Sequence, residues 1–288
     1  MRRCCFLSMD DLGGYVADDE LAVPPLCNLG WDVRTVSWRD KTVDWNDFEV
    51  VVIRTPWDYQ REPEAFLDVL RKIEASRARL ENALEIVEWN LDKKYLRDLE
   101  SRGARIVPTV WKEKGIVETD VREWLAHFGT DEVVIKPTVS ATAEFTYRLR
   151  EFDPELTGVF RTREYMVQPF MPNIVAEGEF SLFYFDGEYS HTILKTPKIH
   201  DFRVQEEHGG IITAVEPSAG LMAAARAVFD LIQPVPLYAR VDFVRDAAGG
   251  FAVMELELIE PALYFRMNGE SPARFARALN RRMTKQES

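Results

Sequence analysis

The strongest chemical signal in this 288-residue chain is a group of acids near its C-terminal end. YARVDFV (238–244) and FAVMELELIE (251–260) read as two strands of a hairpin, joined by a turn over 246–250. Strand side chains alternate faces. Val241, Phe243, Met254, Leu256 and Leu258 are therefore expected in the core, with Arg240, Asp242, Glu255 and Glu257 on the opposite face. Two readings stay open on this pattern alone. Acids on one face of a sheet are commonly its solvated side. Glutamate is nevertheless a poor strand residue, and like charges on neighbouring strands repel. A hard divalent cation with oxygen ligands, Mg²⁺ above all, would remove that repulsion.

If the metal carries a phosphate compound, cations should appear elsewhere. Lys136 closes the apolar run VVIK just before Pro137, where a binding loop would begin; the plain alternative is a lysine that caps the strand. Lys93 falls in the first turn of an expected helix, where a basic residue opposes the dipole unless an anion is near; it also reads as solvated beside Lys94. Arg203 is the best anion ligand of DFRVQEEHGG (201–210), a polar stretch without periodicity of the kind that forms lids, although a surface arginine is the default. RTPWDY (54–59) stands at a strand end. There Arg54 could grip a carboxylate through two parallel hydrogen bonds, with Trp57, Asp58 and Tyr59 around the substrate and Asp10 or Asp11 on an ammonium. In the alternative, Trp57 and Tyr59 only pack between domains and Arg54 pairs with an acid. The histidines (His127, His191, His200, His208) are scattered, and His191 reads as a structural hydrogen-bonder rather than a base.

The elements that must position these residues divide in two. Strands are expected at 4–8, 33–38 and 50–55, and a helix from Pro63 to about Leu80, where Phe66, Leu67, Leu70, Ile73 and Leu80 keep helical spacing. Alternating strands and helices predict a parallel sheet with ligand-facing loops at the strand C-termini. From Asn90 the pattern changes. Helices are expected over 92–102, stopped by Gly103, and over 121–128, stopped by Gly129, with strands at 106–111, 133–136 and 165–168. FSLFYF-Asp186-Gly187-EYSHTILK is a hairpin signal. The expected fold is an α/β domain over 1–88 followed by an α+β domain over 89–288, without internal repeats.

Composition narrows the function. Acids outnumber bases 48 to 36, a formal charge of −12, which makes a nucleic-acid backbone a poor partner. No apolar run approaches the ~20 residues of a membrane span. The N-terminal apolar stretch is too short for a signal peptide, and the three cysteines form neither a disulfide framework nor a metal-ligand pattern. A cytoplasmic protein is expected.

The order WNLDKKYL, VVIKP, YMVQPF, GEFSLFYFDGEYSHTILKTP, DFRVQEEHGG, YARVDF and MELELIEP resembles the ATP-grasp superfamily over nearly the whole chain. It is similar to carboxylate–amine ligases related to glutathione synthetase, D-alanine–D-alanine ligase and the ribosomal-protein glutamate ligases. RTPWDY, WNLDKKYL and the last hairpin look closest to the D-cycloserine cyclo-ligase branch. The resemblance implies a Rossmann-like pre-ATP-grasp domain followed by an ATP-grasp domain. By the same likeness Lys93 and Lys136 contact ATP phosphates, Gln168 and Phe170 lie by the adenine, and Glu179 reaches the ribose. Arg203 and Arg240 hold the transferring phosphate. Asp242, Glu255 and Glu257 bind one or two Mg²⁺ ions, with Mn²⁺ as a substitute; many relatives carry Asn where this chain has Glu257. The loop TVSATAEFT after Pro137 lacks the glycine that often lets backbone NH groups approach phosphate, and the Ser140 and Thr142 hydroxyls are its candidate substitutes.

The implied reaction activates a small amino-acid-like carboxylate as an acyl phosphate, releases ADP and joins the acyl group to an amine, between molecules or within one. The partners are then small molecules, with neither nucleic acid nor membrane, and a homo-oligomer is left open. A glycine-poor loop also fits a non-catalytic ATP-binding module, or a carboxylate kinase that stops at the acyl phosphate.

Overall fold

Continuous apolar strands need cover on both faces, and the first sheet has it. A computed structural model describes residues 1–140, 143–199 and 201–284. Within it run β1 (Arg2–Ser8), α1 (Val23–Asn28), β2 (Trp31–Ser37), β3 (Val50–Thr55), α2 (Pro63–Glu74) and β4 (Arg79–Glu81). The strands are all parallel, in the order β2-β1-β3-β4, and β3 is buried at every residue. The expected helix to Leu80 ends early, and Leu80 belongs to β4. Ser76 breaks it: its hydroxyl donates to the Ile73 carbonyl at 2.6 Å and accepts from the Ala78 NH at 3.0 Å.

The middle of the chain supplies α3 (Leu84–Asn90), α4 (Tyr95–Ser101), β5 (Val110–Lys112), α5 (Glu118–Phe128), β6 (Val133–Pro137), β7 (Tyr147–Leu149), α6 (Leu156–Val159) and β8 (Tyr165–Pro169). Its antiparallel sheet has the order β5-β8-β6-β7. Gly129, at φ 61°, stops α5 in the left-handed region as expected. The expected strand at 106–111 is split: Ile106 makes a lone bridge to Val253, and β5 starts at Val110.

The third sheet is antiparallel, in the order β11-β10-β9-β12-β13. It follows α7 (Asn173–Ala176) and comprises β9 (Glu179–Phe185), β10 (Glu188–Thr196), β11 (Ile211–Ala214), β12 (Tyr238–Arg245) and β13 (Phe251–Glu257), with α8 (Ala219–Phe229) before β12 and α9 (Ser271–Thr284) after β13. Asp186 and Gly187, at φ 48° and 84°, make the two-residue hairpin turn. The β12–β13 register steps from Asp242↔Glu255 to Phe243↔Val253. This bulge leaves Met254 as the extra residue, so Val253 takes the core position beside Phe243 and Met254, expected in the core, lines a cavity instead. Helix α9 returns to the first sheet, where Phe275 and Leu279 share one apolar cluster with Phe6, Trp31 and Phe183. Among the described residues no helix is long and apolar enough to cross a membrane.

Candidate active site

The second and third sheets face each other across a cavity. Val134, Lys136 and Gln168 line it from β6 and β8; Glu179, Lys195, Arg240, Asp242, Glu255 and Glu257 line it from β9, β10, β12 and β13. The acids sit near a sheet edge, where unpaired backbone groups must find partners. On the outer side of β13, Asn90 Nδ2 donates to the Leu256 carbonyl and its Oδ1 accepts from the Leu258 NH, both at 2.9 Å. The Leu256 NH donates to the Tyr95 hydroxyl, also at 2.9 Å. Side chains from α3 and α4 thereby complete the edge and hold Glu255 and Glu257 facing the cavity.

Every acid of the expected metal group has a protein cation beside it. Asp242, 2% exposed, accepts from Ser181 Oγ at 2.5 Å, from Arg240 Nε at 3.1 Å and from Lys195 Nζ at 3.3 Å. Burial pushes its carboxyl up, but Arg240, Lys195 and Ser181 outweigh that and hold it below the ordinary range. Glu255 lies 3.1 Å from Lys93 Nζ; burial is again outweighed, here by Lys93 and Lys136. Glu257 pairs with Arg240, yet burial wins and pushes it up to about 7. Lys195 also pairs with Glu179, whose carboxyl burial raises. Burial lowers Lys136, which makes no ion pair within 4 Å among the described residues.

Among the described residues no three Asp, Glu, His or Cys side chains converge into a ready metal cage. The donor set still fits a hard divalent ion. Asp242 and Glu255 are cross-strand partners. Seven cavity carboxylates (Glu179, Glu206, Glu207, Asp242, Glu255, Glu257, Glu260) face five cations (Lys93, Lys136, Lys195, Arg203, Arg240). The surplus acid shows in Glu260, pushed up to about 8 by burial and then by Glu257. A bound divalent cation would relieve that excess.

The other expected residues separate. Gln168 lines the cavity and donates to Thr109 Oγ1 at 3.0 Å. Phe170 lines it too, with the Arg148 guanidinium carbon 3.6 Å from its ring centroid. Arg203 reaches the cavity from 201–207 and is held by Asp201 through Nε at 3.1 Å and Nη2 at 2.9 Å. The Ser140 hydroxyl turns back to the Pro137 carbonyl at 3.3 Å, while the Ser140 carbonyl accepts from Lys93 Nζ at 2.6 Å. Thr142 and His200 lie outside the described residues. Ala143 and Phe145, at φ 57° and 55°, take left-handed positions that glycine fills most easily.

RTPWDY needs correcting. Trp57 and Tyr59 line the cavity, but Arg54 and Asp58 do not. Arg54, 1% exposed, donates to Asp19 at 2.9 Å through Nε and to the Pro261 carbonyl at 2.9 Å through Nη2. Its Nη1 also donates to the Ile53 carbonyl at 3.3 Å, so the guanidinium is turned to an acid and two carbonyls of the protein and away from the cavity. Asp58 accepts from Trp38 Nε1 at 2.9 Å and pairs with Arg39. Asp10 accepts from Ser37, Asp11 from the Gly13 NH, and neither lines the cavity. His191 is structural: it stacks on Phe183 at 4.2 Å, its Nε2 lies 3.1 Å from the Leu263 carbonyl, and burial pushes it down to about 4.

Lys195 and Glu260 were not among the expected site residues. Lys195 had a legible signal, since it shares its strand face with His191 and the apolar Ile193, an inward parity for a lysine. Glu260 had only its place before Pro261.

Two antiparallel sheets closing on a cavity, Lys136 on one and the acids with Lys195 and Arg240 on the other, make up the ATP-grasp fold. The chain superposes on the crystal structure of D-cycloserine synthetase DcsG with a TM-score of 0.83 at 28% identity, covering 98% of this chain and 99% of that one. D-alanine–D-alanine ligase from Bacillus anthracis shares the fold at a TM-score of 0.68 and 14% identity, with 100% of both chains covered. So does the ATP-grasp ligase PsnB, solved with a phosphomimetic variant of its minimal precursor, Mg and ADP, at 0.64 and 15%, covering 99% and 98%. Residues 4–82 match the family described as D-cycloserine synthetase DcsG, N-terminal domain. The cycloserine biosynthesis protein DcsG of Streptomyces lavendulae is 32% identical over 283 residues, 91% of this chain and 93% of that protein. The chain belongs to the DcsG family of ATP-grasp ligases. It is an ATP-dependent, ADP-forming carboxylate–amine ligase.

Proposed function

We propose that this ligase activates a small amino-acid-derived carboxylate and closes it onto a nitrogen of the same molecule, as the name of DcsG describes for the cyclic product D-cycloserine. The observation that carries the reading is the single cavity in which Lys93 and Lys136 stand across from Asp242, Glu255 and Glu257. Lys93 and Lys136 hold the phosphates, Lys136 through a charge the protein leaves without an ion pair among the described residues. Gln168 and Phe170 receive the adenine and Glu179 the ribose. Asp242, Glu255 and Glu257 hold the metal. Mg²⁺, when bound, offsets the negative charge of the phosphates.

A substrate carboxylate oxygen attacks the γ-phosphorus, the bond to the bridging oxygen breaks, and ADP leaves. Arg240 and Arg203 stabilise the charge on the transferring phosphoryl group. The nitrogen then attacks the acyl carbon, inorganic phosphate leaves with the bonding pair, and the nitrogen loses a proton. The domain division supporting this chemistry is a Rossmann-like pre-ATP-grasp domain over 1–88, with its parallel sheet at 2–81, and an ATP-grasp domain over 89–288. The test is Glu255→Gln, at a half-buried position. ADP release should fall by about 10²-fold or more with the melting temperature retained; wild-type turnover in this variant would remove Glu255 from the metal site.

A further inference from the structure

The polar stretch 201–210 lies along the cavity and lines it from Phe202 to Glu207. Its two ends are held by different forces. At the first, the Phe202 ring meets Phe170 edge-on at 6.2 Å, and the buried Val204 packs with Val107, Ile174, Val244 and Ala252. At the second, Glu206 pairs with Arg266 of the 3-10 turn Phe265–Met267. The same guanidinium reaches the loop between β1 and α1. Arg266 Nη1 donates to Asp18 Oδ2 at 2.8 Å, and the Arg266 NH donates to that oxygen at 3.3 Å. Asp18 ends a stretch that brings Tyr15 and Val16 to the cavity. Its side chain is 8% exposed, so this charge-assisted bond lies largely out of water, where it is strong. Arg266 itself is not part of the cavity lining. One arginine thus ties two cavity walls that come from opposite halves of the chain. Two acids share its charge, so without it they lose a partner and repel each other.

We propose that Arg266 is a positioning residue that latches the 201–210 lid to the loop between β1 and α1, so that the two walls open and close together around a bound nucleotide. Closure keeps Arg203 over the transferring phosphoryl group. It also keeps water from the acyl phosphate. A water oxygen attacking the acyl carbon would expel inorganic phosphate with the bonding pair, lose a proton and return the free carboxylate. That consequence rests on the ligase reading above; the latch itself stands on the contacts of Arg266.

Hydrogen–deuterium exchange of the full chain, read by mass spectrometry, tests the latch. In Arg266→Ala the amides of 201–210 and of 11–18 should both exchange about tenfold faster than in wild type, while those of β9 and β12 keep their rates. Asp18→Asn should speed exchange in 201–210 about threefold, an effect passed through the guanidinium. Arg266→Lys should fall between wild type and Arg266→Ala. Release of fluorescent mant-ADP, bound with Mg²⁺, should be about fivefold faster in Arg266→Ala. Unchanged exchange of 201–210 in Arg266→Ala would overturn the latch, as would an Asp18→Asn variant that loosens only its own loop. Acceleration in Arg266→Ala that reaches β9 and β12 equally would mark a merely structural arginine and overturn it too. Failure of wild type to bind Mg·mant-ADP would instead remove the ligase reading, and the exchange comparison would still decide the latch.

Discussion

Arg54 and His191 show how one buried side chain can stand for structure rather than chemistry. Arg54 ties β3 to Asp19 and to the Pro261 carbonyl, so Arg54→Ala leaves a partly buried acid and a carbonyl unpaired. The cost should be about 3 kcal/mol, read as a lower denaturant midpoint; unchanged stability with only a raised substrate KM would restore the ligand role. His191 is held neutral. Its folded value of about 4 lies below the ordinary 6.5, so the unfolded chain binds the proton more tightly. The stabilisation is therefore present above pH 6.5 and is lost as pH falls towards 4, about 3 kcal/mol in all. Urea midpoints at pH 7 and 4 should converge in His191→Gln by comparison with wild type; an unchanged difference would contradict a neutral His191. Parity along a strand made the inward acids at 242, 255 and 257 legible, and would have exposed Lys195. Arg54 was not legible, because a strand-end arginine suits a ligand and an ion pair equally. What decides is Asp19, placed by a 3-10 turn thirty-five residues earlier.

Among the elements, the β9–β10 hairpin carries Glu179 and Lys195 and depends on two glycines of different strictness. Gly187, at φ 84°, has only ordinary contacts, so Gly187→Ala should cost about 1 kcal/mol. Gly178, at φ 121°, sits where a Cβ would lie 2.7 Å from the Lys195 carbonyl. Gly178→Ala should therefore cost more than its neighbour and weaken ATP binding by shifting Lys195; equal costs and intact affinity would separate Lys195 from this contact. The hairpin turn and the stop of α5 at Gly129 were readable, because Asp-Gly and a lone glycine after a helical run have few structural meanings. The bulge at Met254 was hidden, since Val253 and Met254 are both apolar and parity between them is undetermined. The end of α2 was hidden too: Leu80 follows Ile73 by seven residues, a spacing that a helix satisfies and that the turn at Ser76 interrupts.

Over the whole molecule, the apolar cluster joining Phe6 and Trp31 of the first sheet to Phe183 of β9 and Phe275 of α9 couples the two halves. Asn82 adds polar stitching, donating to the Tyr238 and Leu258 carbonyls at 2.9 and 2.6 Å and accepting from the Leu237 NH at 2.7 Å. Calorimetric unfolding should show one cooperative transition; two resolved transitions would mean that the shared cluster does not couple them. Two separable patterns in the sequence concealed this, because the contact between residue 6 and residue 275 has no local signature. The shared frame holds lysines and acids across one cavity, and the function stands on what they hold together. Titration of ATP into the wild-type chain and Glu255→Gln, each with and without Mg²⁺, measures that directly. Mg²⁺ should tighten ATP binding to wild type by about tenfold or more, and Glu255→Gln should lose that increment while remaining folded. ATP uptake that ignores Mg²⁺ in wild type, or a Mg²⁺ increment that survives in Glu255→Gln, would contradict a metal held by the acids of β12 and β13.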